Sequence, residues 1–222
     1  VKDLLLQVLR EESIWSGRYL VFSDEHDRGA YIPDLDTVQR TMGDCQRCPL
    51  CRTRKNIVFG EGDAQASLMF IGEAPGAVED ETGRVFVGPA GQLLTSIIEN
   101  GMGLKRPQVY IANILKCRPP GNRDPLPEEV GQCIGFLESQ IDAVQPKVIV
   151  TLGRVATQNL LNTSTPISRL RGIFTEYKGI AVMPTYHPSY LLQNPSKKRD
   201  VWEDIKKVMS YLQISRPDQP ST

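Results

Sequence analysis

A length of 222 residues suits one domain of generous size with an appendage, and the 40% apolar content supplies a real core. Lys plus Arg equals Asp plus Glu at 26 each, so bulk charge does not announce a nucleic-acid partner, which would need a local basic face. The longest apolar run falls far short of a membrane span and no secretory-type signal opens the chain, which predicts a soluble, intracellular, cytoplasmic protein with no membrane partner.

In chain order, Lys2 to Arg10 places Leu4, Leu5, Val8 and Leu9 at helical spacing, and Gly17 to Tyr31 mixes aromatics with charges. A docking appendage is the simplest reading of residues 1–43. Asp34 to Thr41 predicts a helix leading to the first cysteines. Cys45-Gln46-Arg47-Cys48-Pro49-Leu50-Cys51 is two overlapping CxxC steps, with Cys117 and Cys133 far downstream. In an intracellular chain such a set reads as metal ligands or buried thiols rather than disulfides, and spacing alone does not choose between a zinc and an iron–sulfur cluster.

Leu68 to Ile71 is a short apolar run cut off by Gly72, which predicts a buried strand. It opens onto Gly72-Glu73-Ala74-Pro75-Gly76-Ala77-Val78-Glu79-Asp80 and then Gly83-Arg84-Val85-Phe86-Val87-Gly88-Pro89-Ala90-Gly91, a glycine-rich, acid-bearing stretch of the kind that presents a site at a strand end. Its glycine order is neither a dinucleotide fingerprint nor a Walker loop. Gly91 to Gly101 predicts a helix with a left-handed cap at Asn100-Gly101. Val109 to Ala112 predicts a strand delivering Asn113, whose amide offers a donor and an acceptor side by side. Leu126 to about Val144, Arg154 to Leu161 and Asp200 to Leu212 predict helices. Lys147 to Gly153, Ile173 to Tyr177 and Ile180 to Pro184 predict strands, the last two joined by a tight turn at Lys178-Gly179. The alternation argues an α/β fold of three layers, α/β/α, around a central, mainly parallel sheet.

The stretch GEAPGAVEDETGRVFVGPAGQLL resembles the first motif of the family 4 uracil-DNA glycosylases, which carry an iron–sulfur cluster. YIANILKCRPPGNR, containing Asn113, and Tyr186-His187-Pro188-Ser189-Tyr190-Leu191-Leu192 resemble that family's later motifs, in the same order. The resemblance covers roughly residues 44–212 and implies a glycosylase domain at 44–214, followed by a polar tail at 215–222. It implies a [4Fe-4S] cluster on Cys45, Cys48, Cys117 and Cys133, with Cys51 as the spare and Cys51 in place of Cys45 as the alternative set. It implies a uracil pocket built from Gly72, Glu73, Ala74, Gly76, Glu79, Phe86, Asn113 and His187, with Phe86 beneath the flipped base and His187 at uracil O2.

By the same resemblance Pro188, Ser189 and Leu191 contact DNA, single- or double-stranded, and the enzyme acts as a monomer. Ala74 stands where better-known uracil glycosylases have a water-activating Asp, which leaves Glu73, Glu79 and Asp80 as candidate bases and makes Glu73 and His187 the expected catalytic pair. Val85, Ala112 and Gln193 depart from the family pattern, and Gln193 removes an arginine expected near the DNA. The competing reading is a non-catalytic or broadened-specificity DNA-binding member of the same fold. The sugar-trapping type is disfavoured by the intact Cys117 and by the lack of an inserted basic loop after Gly91.

Overall fold

The structure, a computed structural model, describes residues 33–215. The amphipathic segment expected at Lys2 to Arg10, the stretch Gly17 to Tyr31 with His26, and the tail beyond Ser215 lie outside the described residues.

Six strands form one sheet: β1 (Glu61–Gly62), β2 (Leu68–Gly72), β3 (Tyr110–Asn113), β4 (Val148–Leu152), β5 (Thr175–Tyr177) and β6 (Ile180–Thr185). Their order is β1-β3-β2-β4-β6-β5. The four inner strands are parallel, and the two edges, β1 on β3 and β5 on β6, are antiparallel. Every residue of β2 and β4 is buried, as expected of parallel strands covered on both faces. The β5–β6 turn takes φ 48° at Lys178 and 80° at Gly179, the double left-handed geometry that tight hairpins favour.

The helices are α1 (Leu35–Met42), α2 (Ala77–Thr82), α3 (Pro89–Ser96), α4 (Pro127–Val144), α5 (Gly153–Leu160), α6 (Ile167–Leu170), α7 (Pro188–Gln193) and α8 (Lys198–Tyr211). Strand alternation sorts them into two layers. Phe70, Ile111, Val150 and Met183 face α3 and α8 through Leu94, Ile98, Ile205 and Val208. Met69, Ile71, Ile149 and Val182 face α4 and α5 through Leu137, Ile141, Ala156 and Leu160. Three layers are therefore present, and α1 adds Val38 and Met42 against Phe136 of α4. Asp34 caps α1, its carboxylate accepting from Thr37 N–H at 2.7 Å.

One local expectation needs correction. The helix expected from Gly91 begins at Pro89, and it closes in a π-helical turn, Ile97–Gly101. The left-handed residue that follows is Gly103 (φ 73°) rather than Gly101, because the wide turn delays the reversal and sets Gly101 close against Trp202. Within the glycine-rich stretch after β2, Ala77–Thr82 forms α2 between Gly76 and a left-handed Gly83.

Candidate active site

The chain leaves β2 toward β3 on one side and later returns to β4 on the other, so the carboxyl ends of β2 and β4 bound a crevice at a topological switch point. Gly72 ends β2, Asn113 ends β3, Gly153 follows β4, and His187 stands two residues beyond β6. Between them lies a cleft of about 320 Å³. Of the site residues expected from sequence, Glu73, Ala74, Gly76, Glu79, Phe86, Asn113, His187 and Ser189 all line it.

Gly72, also expected in the pocket, is buried behind the lining, where Asn113 and Phe86 converge on it. A Cβ there would overlap both Asn113 Oδ1 and the tip of the Phe86 ring, so glycine is what lets the two side chains share one space. Asn113 is 1% exposed. Its Oδ1 is, among the described residues, the buried side-chain oxygen or nitrogen without a hydrogen-bond partner. Leaving such an acceptor unpaired costs about 1–3 kcal/mol, and a site that binds a donor explains why the chain tolerates it. Phe86 sits at φ 49°, unusual for a bulky residue and characteristic of strain held at a functional position. Gly91 permits that backbone, because a Cβ on it would overlap the Phe86 carbonyl.

The His187 ring lies 5.7 Å from Phe86, centroid to centroid, tilted by 37°. His187 also caps α7: the backbone N–H of Ser189 donates to Nδ1 at 3.1 Å, and the Ser189 hydroxyl lies 2.7 Å from the same atom. An Nδ1 that accepts a backbone N–H carries no proton, so the neutral ring bears its proton on Nε2. Burial pushes the His187 pKa down to about 4, against the opposing pull of the Glu79 carboxylate. At neutral pH the cleft therefore presents a neutral N–H donor.

Three carboxylates distinguish themselves by their partners. Burial first, and the Asp124 carboxylate second, raise Glu73 to about 7, with Arg154 opposing. Glu79 accepts from the backbone N–H groups of Val87 (2.9 Å) and Gly88 (2.7 Å), stapling the Phe86 loop, and its other oxygen lies beside Gly76. Asp80 leaves the set of candidate bases: it is buried away from the cleft and accepts from Lys55 N–H at 2.9 Å.

The expected DNA contacts need a correction too. Leu191 is 1% exposed and belongs to the core beneath α7, and Pro188 is also buried. Within this short helix the exposed apolar side chains are Tyr190 (39%) and Leu192 (46%). Sequence reading also passed over Arg123 and Arg154, which line the mouth of the cleft. Arg123 forks onto Glu129 (2.6 and 2.9 Å), and Arg154 pairs with Asp124. Arg123 stood inside the quoted KCRPPGNR run, whereas Arg154 follows a buried strand with no local signal. Together they put cationic groups at the rim despite the glutamine at 193.

A second, smaller cavity shares no lining residue with the first and is lined by Cys45, Cys48, Cys117 and Cys133 but not by Cys51. Backbone or guanidinium N–H groups reach three of these sulfurs: Arg47 to Cys45 (3.3 Å), Arg54 to Cys117 (3.5 Å) and Lys116 N–H to Cys133 (3.4 Å). Arg54 also donates to the Cys45 carbonyl at 2.6 Å. Burial pushes the Cys117 thiol up to about 12 and Cys133 to about 11, so these sulfurs ionise only when a metal draws the proton off. Among the described residues no group of three or more His, Cys, Asp or Glu side chains is placed to hold a metal ion. Four cysteine sulfurs around one cavity are the donor set that either a tetrahedral zinc or an iron–sulfur cluster uses.

The comparisons agree with this geometry. The sequence profile described as "Uracil DNA glycosylase superfamily" matches residues 59–206. The type-4 uracil-DNA glycosylase of Sulfurisphaera tokodaii is 44% identical over 185 residues, covering 80% of this chain and 84% of the relative. That of Thermotoga maritima is 44% identical over 182 residues, covering 80% and 94%. A type-5 uracil-DNA glycosylase of Pyrobaculum aerophilum is 33% identical over 194 residues, covering 73% and 85%. The chain belongs to the uracil-DNA glycosylase superfamily and, within it, to the type-4 family.

Proposed function

We infer that this chain is a DNA-repair glycosylase that hydrolyses the N-glycosidic bond of uracil flipped out of DNA, releasing free uracil and leaving an abasic site. The observation that carries this reading is the unpaired Asn113 Oδ1 on the wall of the cleft. That oxygen accepts uracil N3–H while the amide N–H₂ donates to O4, and cytosine presents the reversed pattern at the same two positions. Phe86 stacks on the base, which carries no sequence information but repays part of the cost of unstacking. Glu79 fills the space beside Gly76, where a thymine methyl group would have to fit.

Bond cleavage leaves positive charge on the sugar and negative charge on uracil. The neutral His187 donates its Nε2–H to the developing anion at O2, an interaction strongest in the transition state. Glu73 accepts a proton from the attacking water. For this task a base near neutrality is well matched, and the pKa of about 7 supplies it. The sign follows: kcat/KM falls about tenfold per unit as pH drops below about 7, because Glu73 becomes protonated, and no descending limb arises from His187, which is already neutral above about 4. Glu73→Gln flattens the acid limb. Activity that instead falls as pH rises through 6 to 7 would assign the proton transfer to an imidazolium.

Cys45, Cys48, Cys117 and Cys133 hold a [4Fe-4S] cluster in this reading. The cluster, when bound, cross-links the 45–48 loop to the segment after β3 and to α4, closing a long loop in the unfolded chain. Purified without oxygen, the protein carries about four irons and a broad visible absorbance, and Arg54→Met loses iron faster to a chelator. Stoichiometric zinc without iron overturns the assignment.

Matched oligonucleotides carrying one U, T or C, treated with the protein and then alkali, test the activity. Strand cleavage at U alone is expected. Equal cleavage at T removes Glu79 as a steric guard, and no cleavage at U overturns the glycosylase reading.

A further inference from the structure

Lys116 is 1% exposed and takes no part in the chemistry above. Its ammonium donates to the backbone carbonyl of Asn113 at 2.9 Å and to Gln140 Oε1 at 2.5 Å. Gln140 is itself fixed, because its amide N–H₂ donates to the Phe59 carbonyl (2.9 Å) and to the Tyr110 hydroxyl (3.0 Å). Both of the lysine's partners are neutral oxygens, an expensive setting for a buried charge. A methionine would fill the same space without that cost.

The Asn113–Ile114 peptide explains what the charge does. Its N–H donates to the Gly72 carbonyl at 2.9 Å, and its C=O receives Lys116. The next N–H, of Leu115, donates to the Glu73 carbonyl at 3.0 Å. The peptide behind the base-reading amide is thus held from both sides, by the Gly72 carbonyl at the end of β2 and by the ammonium. At its other end Lys116 is fixed to the cysteine cavity, since its backbone N–H donates to Cys133 Sγ and Cys117 is its chain neighbour.

We propose that Lys116 is a positioning residue for base reading, which fixes the Asn113 peptide through its ammonium and ties that alignment to the four-cysteine centre through its backbone. The proposal rests on the glycosylase reading of the cleft. Asn113 then discriminates only while the centre that anchors Lys116 is intact.

The test is a double-mutant cycle of Lys116→Met with Asn113→Leu, using iron-loaded protein. Single-turnover excision of U and of C, equilibrium dialysis with free uracil, iron content and the thermal transition are all measured. Lys116→Met is expected to lower kcat/KM for U about 10- to 100-fold and to weaken free-uracil binding by a similar factor, with iron content retained. In the Asn113→Leu background the same change is expected to cost less than about twofold, because the residue it positions is gone.

Additive losses in the two backgrounds, or wild-type kinetics and uracil binding in Lys116→Met, overturn the proposal. If Lys116→Met does not retain iron, Gln140→Met replaces it, removing the acceptor that orients the ammonium while leaving the residues beside the cysteines unchanged. A loss of about 3- to 10-fold that disappears in Asn113→Leu supports positioning, and an additive loss overturns it. Wild-type protein inactive on U overturns the glycosylase reading, and this proposal with it, in the first lane of the assay.

Discussion

His187→Ala should slow uracil release by about 10²- to 10³-fold while leaving base discrimination largely in place. The reasoning runs from the backbone outward. β6 ends at Thr185, whose hydroxyl donates to the buried Asp204 of α8 at 2.6 Å, and Asp204 is gripped in turn by Arg171. That pins the point from which His187 leaves the sheet. The Ser189 N–H then fixes the tautomer by donating to Nδ1, and burial holds the ring neutral, with a pKa of about 4.

With that pKa the imidazolium is a minor form at pH 7, so the expected route is donation from the neutral Nε2–H. The mutant keeps the Cβ that packs beside Gly153 but loses the cap on the Ser189 N–H, a cost of about 0.5–2 kcal/mol that a thermal transition measures separately. Single-turnover alkali cleavage between pH 5 and 9 decides the matter. A loss under about tenfold removes His187 from the transition state, and a loss confined to acidic pH restores general-acid catalysis.

The strands were legible because a parallel sheet covered on both faces demands continuous apolar runs, and VIVTL and LMFIG supply them. Helix α4 was legible at both ends, with proline and acids in its first turn and Glu129 reaching back to Leu126 N–H at 2.9 Å. What hid was polar burial. Glu79 and Asp80 read as pocket acids and candidate bases, yet each serves backbone N–H groups of a neighbouring segment, a role that leaves no period in the sequence.

Lys116 hid for the same reason, since a lysine beside a cysteine looks like solvent-facing charge until its acceptors are known. Leu191 and Leu192 are adjacent in a helix of six residues, too short for spacing to say which one faces the core. β1 is two residues long and exists only because β3 offers it an edge. For the site, most residues brought by strand ends and by motif order line the cleft, whereas Arg154 and the Asp124 that modulates Glu73 were passed over, because one opens α5 and the other sits in a loop, with no common motif between them.

Asn113→Leu should separate function from stability. The two hydrogen bonds made to uracil in a water-poor cleft are each worth about 1–3 kcal/mol, so losing both lowers kcat/KM for uracil by about 10²- to 10⁴-fold. Cytosine excision should not fall in parallel, because the amide that rejected its reversed edge is also gone, and the U-to-C ratio collapses toward the background set by stacking on Phe86. The free protein should gain. In wild type Asn113 Oδ1 is buried without a partner, and replacing it with an apolar group of similar size removes that cost, raising Tm by about 2–4 °C per kcal/mol recovered in a chain of this size.

A polar residue that stabilised the fold would show the opposite sign, with activity and Tm falling together. Calorimetry beside the three-oligonucleotide assay therefore distinguishes a residue kept for its ligand from one kept for its packing. Unchanged discrimination between U and C in Asn113→Leu would move base reading elsewhere in the cleft, with Glu73 and the Ala74–Gly76 backbone the remaining polar wall.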